Sequence, residues 1–235
     1  MIGLQWLEEG ENRIGADFEL GEAAPVPGAS VVVVSGGAAT LWQGAEATPL
    51  EPDLEGERPF LTHGSVSFSL ISRGGRLGVR IRDRDAAARS TRPNIPFFPV
   101  DPAWRIPARF QPYDPPRRSP VASVAGTVDA EIFPGAVVFS RDGLEHRLDV
   151  IAERGETDSW IVFGDATNGV ETYGGGRFVY APPPVNGVGG TVIDFNKAYN
   201  PPCVFTAYST CPLPLPQNRL RFRVEAGERM PEQAG

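Results

Sequence analysis

A chain of 235 residues, 41% hydrophobic and 22% charged, can bury the core of one large or two small globular domains. The formal net charge of -7, with no run of Lys or Arg, excludes a phosphate-neutralising stripe and with it a nucleic acid partner. The 27 glycines and 24 prolines exclude long helices, and no window reaches the ~20 apolar residues of a membrane-spanning helix.

Glu8, Glu9 and Glu11 are acidic where an export signal is basic, and two cysteines are too few for a disulfide scaffold, so a cytoplasmic, reducing location is expected. A short helix is expected over Leu4 to Glu11, interrupted at Gly10, with Trp6 and Leu7 as anchors. Short apolar or β-branched strands follow at Phe18 to Leu20, Ser30 to Ser35 and Ala39 to Trp42. Val66, Phe68 and Leu70 alternate with serines, Gly74-Gly75 turns the chain, and Leu77, Val79 and Ile81 alternate back. This pattern predicts a hairpin with one face on a core and the other in water. His63 reads as a turn residue before Gly64.

From Asp83 to Ser119 the composition turns Pro- and Arg-rich, yet carries Phe97, Phe98, Trp104, Phe110 and Tyr113. Rings need burial, so the stretch is expected to wrap irregularly over the body. Downstream, Ala136 to Ser140 and Leu144 to Ile151 flank Asp142-Gly143 as a second hairpin. Strands are expected at Trp160 to Phe163, Arg177 to Tyr180, Thr191 to Asn196 and Leu220 to Val224. The fold class is thus all-β, an antiparallel β-barrel or sandwich in the C-terminal half with a smaller N-terminal β-sheet unit. The expected division is residues 1–82 for the N-terminal unit, 83–119 for the Pro-rich connection and 120–235 for the C-terminal domain.

Several phrases carry a resemblance: "RGGRLGVRIRD", "FFPVDPAWRIPARF", "FGDATNGVETYGGGRFVY", "IDFNKAYNPPCVFTAYSTCPLPLPQNRL" and "VEAGE". In this order they resemble the domain of unknown function 1684 family of bacteria and archaea, from about Phe60 to Glu228. The stretch from Ser90 to Pro96 is more Pro-rich than that pattern. The resemblance implies no activity, cofactor or site residue.

The residues themselves offer four candidates. Asp194 and Asn196 share a strand face, with Tyr199, Asn200 and Cys203 beyond. They are candidates for a polar ligand or metal site, or else cap the turn that follows. Tyr173, Gly174, Gly175, Gly176 and Arg177 place a guanidinium beside a glycine run that can approach an anion. Otherwise the run is a bulge or corner, and Arg177 pairs with Asp165 or Asp194. His146 shares a face with Leu144, Leu148 and Val150. It is a core-side histidine, or a base or ligand facing Asp194 or Glu171. Cys203 and Cys211, without a nearby histidine, read as reduced thiols in a Pro-rigidified loop rather than a metal site.

No motif for a nucleotide, metal or other cofactor appears. The first functional expectation is a small polar or anionic ligand at one end of the C-terminal domain, held by Tyr173, Gly175, Arg177, Asp194, Asn196, Tyr199 and Asn200. The alternatives are a metal-independent hydrolase or isomerase using His146 with Asp194 or Asp165, and a structural protein without a small-molecule site.

Overall fold

A computed structural model describes residues 1–14, 30–52, 58–86, 93–152, 158–184 and 189–232. The chain is all-β and divides into two units, Met1–Arg92 with Thr206–Thr210, and Pro93–Phe205 with Cys211–Gly235. No helix among the described residues is long and apolar enough to cross a membrane.

The first unit holds two four-stranded antiparallel sheets. One runs β1 (Gly3–Trp6), β8 (Arg76–Asp83), β7 (Val66–Arg73), β6 (Leu61–His63), and the other β2 (Gly10–Arg13), β3 (Ser30–Ser35), β4 (Ala38–Gln43), β5 (Glu46–Leu50). Both contribute to one core, in which Val32, Phe68, Val79 and Ile81 have no exposed surface. The expected helix over Leu4 to Glu11 is instead two strands, because β8 and β3 offer pairing edges that a short, Gly-interrupted helix cannot match. The expected strand at Phe18 to Leu20 lies outside the described residues. Gly74 and Gly75 both have positive φ, 57° and 74°, as a two-residue hairpin turn demands. The hairpin's polar face is only partly in water, since Ser69 is 1% and Arg80 6% exposed while Ser67 and Arg82 are half-buried. His63 pairs with Val66 across the Gly64-Ser65 turn.

In the second unit one sheet has the order β11 (Leu144–Val150), β10 (Val128–Arg141), β9 (Arg105–Ala122), β14 (Gly189–Asp194), and β12 (Ser159–Phe163) pairs with β13 (Arg177–Ala181). These sheets do not close into a barrel among the described residues, and the arrangement fits a sandwich. Ile106, Val137, Phe139, Leu148, Ile161, Phe163, Val179 and Ile193, from every strand of both sheets, fill the space between them. Val162 and Phe178, on the other face of β12 and β13, join a second cluster with Val121, Phe133, Ile151 and Cys211. Strand β12 is therefore buried on both faces, which is why its sequence is a continuous apolar run. Asp142 and Gly143 make the expected tight turn between β10 and β11, with φ of 53° and 76°.

Arg105–Ala122, read as irregular, is the longest strand, and Leu220 to Val224, read as a strand, lies outside any. Strand β9 tolerates its prolines by their placement. It has neighbours on both sides only at Ala108, Arg109 and Phe110, while Pro107, Pro112 and Pro120 fall where it pairs on one side. Pro112 faces Gly135 and Arg117 faces Phe133, so Tyr113 to Pro116 bulge out opposite the single residue Pro134. Among the described residues before β9, Phe97 is 58% exposed rather than buried.

Candidate functional site

Arg177 opens β13 with no exposed surface, and both of its Nη groups are spent on its own chain, while Nε is buried with no hydrogen-bond partner among the described residues. Nη2 donates to Asp165 Oδ2 at 2.9 Å and to the Val224 carbonyl at 2.8 Å, while Nη1 donates to the carbonyls of Ala226 and Glu228 at 2.5 and 3.1 Å. Burial pulls the guanidinium's pKa down, opposed by the charge of Asp165. The other carboxylate oxygen, Asp165 Oδ1, accepts from the Thr167 hydroxyl and from the N–H groups of Thr167 and Val224. Of the two expected partners of Arg177, Asp165 is the one it has. Together they clasp residues 224–228 to the sheet.

Asn200 works on the same strap. Its N–H donates to Glu228 Oε2 at 2.7 Å and its side-chain amide to the Arg229 carbonyl at 2.8 Å. Tyr199 is hydrogen-bonded through its backbone to Phe178 and stacks on Tyr180, with centroids 6.1 Å apart. Asp194 caps the turn Phe195–Lys197 by accepting from the Asn196 N–H at 3.2 Å. The amide of Asn196 reaches back to Asp194 and to the backbone of Asp101.

His146 is half-buried between Phe139 and Phe222, at centroid distances of 5.5 and 4.9 Å. It is on β11, at the opposite edge of the four-stranded sheet from Asp194 on β14. Asp165 is committed to Arg177, and Glu171 to Arg223. The structure therefore brings His146 to none of the carboxylates considered as its partner. Among the described residues no group of three His, Cys, Asp or Glu side chains could hold a metal ion.

Tyr173 belongs with the cysteines. A Cβ on Gly175 would meet the Tyr173 ring at 2.5 Å, so the bare glycine leaves the space in which that ring lies. The Tyr173 hydroxyl lies beside the Cys203 thiol, and the Cys203 N–H donates to Cys211 Sγ at 3.4 Å. Cys203 is half-buried and Cys211 buried, and no disulfide joins them.

A further cluster escapes the sequence reading. Asp149, at the end of β11, has a side chain only 1% exposed, yet Arg117 and Arg147 converge on it. Arg117 Nη2 bonds Oδ2, the Tyr113 hydroxyl donates to Oδ1 at 2.6 Å, and the Gln217 amide donates to Oδ2 at 2.8 Å. Arg147 Nε donates to the Tyr113 oxygen at 3.1 Å, and its Nη1 to Gln111 Oε1 at the same distance. Both guanidiniums lie against the Tyr113 ring, each 5.1 Å from its centroid. The signal was present in β11: Arg147 and Asp149 alternate with His146 and Leu148, so they share the opposite face. What the sequence could not supply is the bulge in β9 that delivers Tyr113 and Arg117 to that face.

A family model described as "Protein of unknown function (DUF1684)" matches residues 92–229, more than half of the chain. The chain belongs to that family. The match begins after the "RGGRLGVRIRD" hairpin, later than the Phe60 start expected from the phrases. No curated protein matches the chain. Among solved structures, an uncharacterised protein of Haloarcula marismortui determined by solution NMR is 27% identical, with a TM-score of 0.49. That likeness covers 57% of this chain and 75% of the other.

Proposed function

We propose that the C-terminal unit binds a small anionic ligand, a carboxylate or phosphate, where Arg117 and Arg147 meet above Asp149. The observation that carries this reading is a charge imbalance at a fixed site. Two guanidiniums, with side chains 42% and 39% exposed, surround one carboxylate that is 1% exposed. One positive charge is unmatched in the cluster, and both arginines still reach solvent. A guanidinium held along one edge keeps its remaining N–H groups aimed, so less ordering is lost when a second oxyanion arrives. Burial first, then the bond to Asp149, raises the Tyr113 hydroxyl above its ordinary value, so it stays a neutral member of the cluster. Arg177 is unsuited to this task because its fork is filled by Asp165 and three carbonyls.

The test is calorimetric titration of the full chain with inorganic phosphate and with malonate. Saturable binding is expected, and Arg147→Met should weaken it at least tenfold, about 1.4 kcal/mol, with folding stability changed by no more than about 1 kcal/mol. Binding weaker than about 10 mM for both anions, about −2.7 kcal/mol, would sink the reading.

A further inference from the structure

The thiol cluster shares no residue with the anion site, although Tyr113 and Cys203 pack on the same apolar cluster, and it carries its own inference. Cys203 sits in the turn Pro202–Val204, where the N–H groups of Val204 and Phe205 donate to the carbonyls of Pro201 and Pro202. Cys211 is fixed to the end of β9, since its carbonyl accepts from the Val124 N–H at 2.9 Å and Leu213 N–H donates to the Ala122 carbonyl at 2.8 Å. Both sulfurs are therefore presented by anchored backbone. They differ in access, because Cys203 is half-buried and Cys211 is 7% exposed. Cys211 belongs to the apolar cluster of Val121, Phe133, Ile151, Val162 and Phe178, with Cys203 packed at its margin.

We propose that Cys203 and Cys211 are a reactive dithiol, with Cys203 the attacking sulfur and Cys211 the resolving one, whose oxidant is a small peroxide. The Cys203 thiolate attacks one oxygen of hydrogen peroxide, the O–O bond breaks, and the other oxygen leaves as hydroxide. This gives a sulfenic acid on Cys203. The Cys211 sulfur then displaces that hydroxyl as water, giving the Cys203–Cys211 disulfide; two thiols and one peroxide become one disulfide and two waters. An external dithiol restores the reduced pair.

The environment assigns these roles. The Cys211 thiol hydrogen-bonds Cys203 and, against the opposing effect of burial, brings its pKa down to about 7, with the Tyr173 hydroxyl and a backbone N–H adding to the effect. Tyr173 is raised to about 12, chiefly by burial and then by Cys203, so it remains a proton-bearing donor at neutral pH. The titratable groups acting on Cys203 are thus Cys211 and Tyr173. The thiolate fraction rises as pH rises through about 7, where an attacking thiol combines availability with nucleophilicity. An accessible, low-pKa thiol beside a resolving one is the arrangement that peroxide oxidises selectively. Tyr173 is a positioning residue, and Gly175 leaves the room its ring needs.

The experiment is intact and peptide mass measurement of the reduced full chain after one equivalent of hydrogen peroxide. Expected are loss of two hydrogens, a Cys203–Cys211 cross-linked peptide, and full reversal by dithiothreitol. Cys211→Ser should leave a sulfenic acid on Cys203 that dimedone traps, and Tyr173→Phe should slow Cys203 alkylation several-fold at pH 7. Should either variant fold poorly, iodoacetamide labelling of the native protein still decides. Labelling of Cys203 with a midpoint near pH 7, while Cys211 is protected, supports the roles. Both thiols remaining alkylatable after peroxide, sulfenylation of Cys211 first, or a Cys203 midpoint near the ordinary ~8.5 would overturn them.

Discussion

Arg177 and Asp165 face each other with neither side chain exposed, and between them they hold the backbone of Val224, Ala226 and Glu228. Removing one member leaves the other charge buried and several carbonyls short of donors. Arg177→Met should therefore cost about 3–5 kcal/mol by denaturant titration, while Arg177→Met with Asp165→Asn should recover part of that loss. A double variant no more stable than the single one would show that the backbone bonds, not the charge, dominate. At this scale the sequence announces only what is local. Asp194 two residues before Asn196 signals a capped turn, because the partners are chain neighbours. The pairing of Arg177 with Asp165 spans 12 residues and could be named as an alternative. Its bonds to residues 224–228 could not, since no spacing rule connects a strand to a strap that follows 47 residues or more later. Asp149 was missed for the same reason: four of its partners come from β9 and from residues near 217, each 32 residues or more away.

Hairpins are the elements the sequence declares best, because Gly-Gly and Asp-Gly dictate both the turn and the register. Nothing lies within 4 Å of a Cβ added at Gly143, so any loss on substitution there comes from its φ of +76° alone. Gly143→Ala should cost about 1–2 kcal/mol, and Gly143→Asn distinctly less, in thermal or urea unfolding. Equal losses for the two would point to a contact not accounted for by backbone conformation. Strand β9 is the counterexample. Its prolines suggest an irregular segment because composition counts them without knowing which residues need an N–H for a second neighbour. Only Ala108, Arg109 and Phe110 do, and none is proline. The strands near the N-terminus were hidden differently: β1 and β2 have four residues each, too few to establish a period.

At the scale of the whole molecule the division into units does not follow the chain. Thr206–Thr210 belong to the first unit although the residues on either side belong to the second. Within the first unit the Arg80 guanidinium donates to the Thr210 hydroxyl at 3.4 Å, and the Thr206 hydroxyl donates to the Met1 carbonyl at 3.5 Å. Replacing Thr206–Thr210 by a Gly-Ser segment should speed amide exchange in β7 and β8 while leaving β12 and β13 unchanged. Unchanged exchange in β7 and β8 would mean that these five residues lend the first unit no stability. The arrangement also sets an order in time. On a ribosome the first unit must wait for its last segment until residue 210 has emerged, roughly 6 to 24 seconds after Arg92 at the usual elongation rates. The first unit is begun before its neighbour but receives its last segment only after Pro93–Phe205 has been made, so it must persist unfinished through that interval.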